Sequence, residues 1–169
     1  MTQQAPRRKK QLVTKRITVP GNFQRACNDF NAGRFFEAHE WLEEIWQQEQ
    51  GPVRDLYKGL IQIAAGYVHI SRRTDYGAER LLRTAVAYLA PYRPEGGMGW
   101  DIEVIAGDAE DALRRVRELT PGRLAEFDIN RRPVFAFDAE RLRDESKRWR
   151  AWGFDREGNT EELEITVAE

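Results

Sequence analysis

The chain has 169 residues, with 27 basic and 28 acidic side chains and a formal net charge of −1 at pH 7. That length suits one compact domain with its own core, and 41% apolar with 33% charged residues is an ordinary globular composition. One cysteine, Cys27, excludes an intrachain disulfide framework, and no apolar run nears the ~18–20 residues that a membrane span needs.

Residues 1–16 hold six basic side chains and no acid, which leaves residues 17–169 at −7. A basic stretch on an acidic body can touch nucleic acid, but no aromatic residues are interleaved for base stacking, so nucleic acid is not expected except through residues 7–16. Residues 1–20 therefore read as a basic, flexible arm. This stretch is not followed by the roughly 7–15 apolar residues of a secretory leader. Together with the single cysteine, that points to a cytoplasmic protein with no membrane partner.

Helical periodicity takes over at Asn22, which can cap a short helix carrying Phe23, Ala26 and Phe30 and stopping at Asn31-Ala32-Gly33. A second helix is predicted over 34–49 and ends at Gly51-Pro52; a third runs over 53–72. Thr74 or Asp75 caps a fourth, whose Ala78, Leu81, Leu82, Ala85 and Leu89 form an amphipathic stripe. A fifth spans 101–119 and stops at Thr120-Pro121-Gly122. Beyond it, Val134–Phe137 is extended, Asp138 can cap a sixth helix, and Leu163–Val167 alternates at period two and could pair with Val134–Phe137. The expectation is an all-α, single-domain bundle of five to six helices, with a short extended segment near the C-terminus. Residues 21–120 form its core, and 121–169 are an extension packing on that core.

The second and third helices hold the candidate chemistry. At about 100° per residue, His39 falls among Phe35, Leu42 and Trp46, with Glu43 at the edge of the same face. Trp41 points the other way, as an interface anchor or under the C-terminal segment. On the third helix Asp55, Gln62 and His69 recur every seven residues, so they form one stripe on an otherwise apolar helix. Antiparallel packing would let His39, Glu43, Gln62 and His69 meet in the interior. His-Glu-x-x-Glu at 39–43 puts an imidazole and a carboxylate one helical turn apart. That is the spacing by which H-E-x-x-H helices chelate zinc, with Glu40 as the base for a metal-bound water. Here Glu43 replaces the second histidine, and further ligands would be Gln62 or His69. Carboxylate-rich sets of this kind also hold iron or manganese. The alternative, in which no cofactor binds, makes His39, Glu43 and Gln62 a structural hydrogen-bond network.

Phe35-Phe36-Glu37-Ala38-His39-Glu40-Trp41-Leu42-Glu43-Glu44-Ile45-Trp46, then Gly59-Leu60-Ile61-Gln62 and Gly77-Ala78, resembles the prokaryotic family called domain of unknown function 309. The likeness runs from about Phe23 to Leu89 and weakens towards Leu119. It implies a small all-α bundle and, under the label "predicted metal-dependent hydrolase" sometimes given to the family, roles for His39, Glu40, Glu43 and Gln62. It names no substrate, and it leaves enzyme and non-catalytic interaction or scaffold module as competing classes, with homo-oligomerisation open.

Overall fold

The computed structural model describes residues 10–149 and 160–168. In chain order these form β1 (Leu12–Pro20), α1 (Gly21–Asn31), α2 (Phe35–Gln48), α3 (Arg54–Ser71), α4 (Asp75–Leu89), α5 (Ile102–Leu119), α6 (Ala139–Trp149) and β2 (Thr160–Ala168). Each helix from α1 to α5 packs on the next, so the body is an all-α single domain. Among the described residues the one sheet is the two-stranded antiparallel ribbon of β1 and β2.

Local chemistry sets the helix boundaries. Gly33, at φ +85, takes the left-handed turn that ends α1. The Asp101 side chain accepts from the Val104 N–H at 3.3 Å and starts α5. At the start of α6, Asp138 accepts from the N–H groups of Glu140 and Arg141 at 2.9 and 3.1 Å. Neither Asn22 nor Thr74 supplies a side-chain cap. Instead, Asn22 donates to Glu44 at 2.9 Å and ties α1 to α2. Asp75 accepts from the Gly122 N–H at 2.9 Å, so it fastens the chain beyond α5 rather than its own helix.

The central element is α3, where Leu56, Tyr57, Leu60, Ile61, Ile63, Ala64, Tyr67 and Ile70 are all buried. Its glycines let α4 come close: a Cβ on Gly59 would meet Leu89 Cγ at 2.5 Å, and one on Gly66 would meet Leu82 Cγ at 3.1 Å. Trp46, expected in the core, is only partly buried. Arg54 and Lys58 of α3 lie over its ring, at 4.0 and 4.2 Å from the centroid. Trp41 turns onto α1 and donates to Asp29 at 2.8 Å.

Two pairings differ from the sequence expectation. Val134–Phe137 is extended but meets the loop before α5, through a bridge between Trp100 and Phe137. Asn31 holds this segment in place: it donates to the Phe135 carbonyl at 2.7 Å and accepts from the Phe135 N–H at 2.8 Å. The Phe135 ring then stacks on Phe30 at 3.8 Å. The strand at 160–168 pairs with residues 12–20 instead, with Lys15 opposite Ile165 and Arg16 opposite Glu164. From Leu12 onward the basic segment is thus strand rather than flexible arm. Residues 7–9 of the basic run lie outside the described residues.

Packing at the glycines predicts two opposite outcomes. Gly59→Ala forces buried Leu89 to move and should destabilise the fold by about 1–3 kcal/mol, less the roughly 1 kcal/mol gained in helix propensity. Gly107→Ala, whose Cβ would meet nothing within 4 Å, should raise stability by up to about 1 kcal/mol. Urea unfolding of both variants checks the sign of each change.

Candidate functional site

On α2 the buried stripe is Phe35, Ala38, Leu42 and Ile45. Its centre lies about 80° around the helix from His39, at 100° per residue. His39 therefore borders the core instead of facing it, and Phe36, one turn back, is 49% exposed. The His39 Nε2 lies 3.5 Å from Glu43 Oε2, with the side chains 23% and 36% exposed. That distance is an ion-pair contact when the imidazole is protonated. The expected interior pair is thus a half-buried pair at the surface.

Facing it across the groove between α2 and α3 is His69. His39 and His69 line one cleft of about 170 Å³ with Phe36, Ala65, Val68 and Arg72. The Phe36 ring stacks beside His39 at 5.9 Å between centroids. On the far side, Gly77 of α4 makes room for the His69 ring, which a Cβ at that position would overlap. In both histidines Nδ1 is buried without a hydrogen-bond partner, an arrangement that ordinarily costs about 1–3 kcal/mol per group. Burial holds the His69 pKa below its usual 6.5, and the positive charges of Arg72 and Arg80 push it the same way.

The other expected site residues are not gathered here. Gln62 turns to α4, where its Oε1 accepts a hydrogen bond from the Thr84 hydroxyl. Seven residues apart, Gln62 and His69 share one face of α3, and that face meets α4 at both, Thr84 lying against Gln62 and Gly77 against His69, whose ring also reaches the α2 groove. Asp55 is exposed near the start of α3, and Glu40 is exposed on the outer side of α2, away from the cleft. Phe36, Val68 and Arg72 line the cleft without having been among the expected site residues. The signal was present, because Phe36 lies three residues before His39 and Arg72 three after His69, one helical turn in each case.

Zinc, manganese or iron would require three or more donors converging on one point. Among the described residues no group of three His, Cys, Asp or Glu side chains does so. Gln62 is engaged with Thr84, and Glu40 points away. The proposed ligand set does not fit a metal centre in this arrangement.

Residues 23–81 match the model of the family described as Domain of unknown function (DUF309), so the resemblance holds over α1, α2, α3 and the first half of α4. Uncharacterized protein YpuF of Bacillus subtilis (strain 168) is 37% identical over 76 residues, which is 43% of this chain. The chain spans 44% of that relative's length. No solved structure matches the chain. The family segment contains every residue lining the cleft.

Two measurements test this geometry. After dialysis against trace zinc, manganese and iron, the tag-free protein should hold well under one metal per chain. Stoichiometric metal that is lost in Glu43→Gln would overturn the geometric reading. Second, Arg72→Gln should raise the His69 pKa, yet leave it below the ordinary value, because burial is the larger cause. An NMR titration of the ring protons reads this directly. The sign of the stability effect follows from linkage. A histidine whose folded pKa is depressed contributes stability above about pH 6.5, and that contribution is lost as pH falls towards the folded pKa.

Proposed function

We propose that the α2–α3 cleft carries out general acid–base chemistry on a small molecule, hydrolysis being the favoured reaction class. One observation supports this most: two imidazoles from different helices line a single cleft, and a carboxylate stands behind one of them. With Nδ1 of His39 buried, Nε2 would accept the proton of the attacking water, and Glu43, 3.5 Å from that nitrogen, would stabilise the imidazolium that forms. His69, kept neutral by its surroundings, would donate its ring N–H to the oxygen on which negative charge develops. Water adds across the ester bond, giving an acid and an alcohol, and the proton held by His39 leaves with the alcohol. The hydrolase label attached to the resembled family agrees in reaction class, although the route here uses side chains alone.

We place the protein in a reducing cytoplasm. Cys27 is buried and its thiol pKa is pushed up to about 12 by burial, as befits an inert packing residue. No helix among the described residues is long and apolar enough to cross a membrane.

The chain has only two histidines, so their contributions separate cleanly. Hydrolysis of p-nitrophenyl acetate at pH 7 should fall by about 10²-fold or more in His39→Gln, the usual worth of a positioned general base. Glu43→Gln should fall by a smaller factor. Equal rates in the parent and in a variant lacking both histidines would refute the acid–base reading.

A further inference from the structure

The arginines of this protein are mostly matched to carboxylates. Arg34 pairs with Asp29, Arg93 with Glu103, Arg115 with Asp111 and Arg141 with Glu145, all at 3.0 Å or less. Arg72 and Arg80 depart from this pattern. Among the described residues neither side chain has an ion pair or hydrogen bond, yet the charges of both act on the His69 ring. Arg72 also lines the cleft, so its positive charge stands at the rim of a concave surface. The remaining wall, formed by Phe36, Ala65 and Val68, is apolar. A wall with one apolar side and one uncompensated cationic end is the usual form of a site for a small amphipathic ligand.

We propose that the cleft binds a small organic anion, its oxyanion head on Arg72 beside His69 and its short carbon chain on Phe36, Ala65 and Val68. This rests on the acid–base reading above and names the substrate class for it. Guanidinium groups suit carboxylate and phosphoryl heads, which they can grip with two parallel N–H donors. The size of the cleft limits the rest of the ligand. The concave part, about 170 Å³, is matched by a short carbon chain lying on the apolar wall. The charged groups facing His69 are Arg72 on its own helix and Arg80 on α4, with His39 and Glu43 across the cleft on α2. Glu43 sets a limit of its own. Its carboxylate repels a second anion, so the head belongs at the Arg72 end and the reacting bond lies nearer His39.

The experiment is an NMR titration of the full chain with butyrate, propyl phosphate and n-butanol, following the ring signals of His69 and Phe36. Saturable shifts of both rings are expected with an anion, at a dissociation constant of about 1 mM or tighter, and none with the alcohol. If only one anion binds, the head group is identified as carboxylate or phosphoryl. Arg72→Gln should weaken binding about tenfold, whereas Arg114→Gln, which removes one charge from the surface of α5, should not. Absence of saturation with either anion, equal binding of butanol, or an unchanged affinity in Arg72→Gln would overturn the proposal. The two readings fail separately. Anion binding without histidine-dependent ester hydrolysis would remove the acid–base chemistry and keep the ligand class, and hydrolysis without anion binding would do the reverse.

Discussion

Everything in this fold turns on α3 being buried nearly all round while still carrying a polar stripe. A helix enclosed by neighbours must find a partner or an outlet for each polar side chain, because an unpaired buried polar group costs about 1–3 kcal/mol. The three stripe residues resolve this differently. Asp55 is exposed near the helix start, Gln62 accepts from Thr84 on α4, and His69 opens into the groove facing α2. The last is the incomplete solution, since the buried Nδ1 of His69 keeps no partner. Within this stripe, the cleft thus lies where burial leaves a polar atom unmatched.

The glycines decide who can approach. Gly59 and Gly66 set the depth at which α4 sits on α3, through Leu89 and Leu82. Gly77 does the converse on α4, leaving the volume that the His69 ring occupies. Moving α4 outward would open Gln62 and His69 to water together. Close helix packing and the chemistry of the site are therefore one constraint, felt at both ends of the same interface.

Much of the body was legible in the sequence because helical periodicity and breakers are local signals. Gly33, Pro52 and the Thr120-Pro121-Gly122 stop fall at or just beyond the ends of their helices. What escaped was long-range. No local pattern tells Leu163–Val167 to choose residues 12–20 over Val134–Phe137, which Asn31 holds at Phe135 instead. The site was half legible. Periodicity brought His39, Glu43 and His69 to one interface, but the helical wheel centred α2 on His39 when the buried stripe is Phe35, Ala38, Leu42 and Ile45. Counting Trp46 as core turned the wheel that way, since its ring is only partly buried and is covered by cationic side chains.

The central claim is that His39 and His69 share a cleft from which Gln62 is turned away. Through-space proton contacts measured by NMR on the unmodified chain test it most directly. The account predicts contacts from the His39 ring to the Val68 and Ala65 methyls, and from the Gln62 side-chain amide to the Thr84 methyl. A contact between the Gln62 amide and the His39 ring, with none to Thr84, would contradict it and return Gln62 to the site.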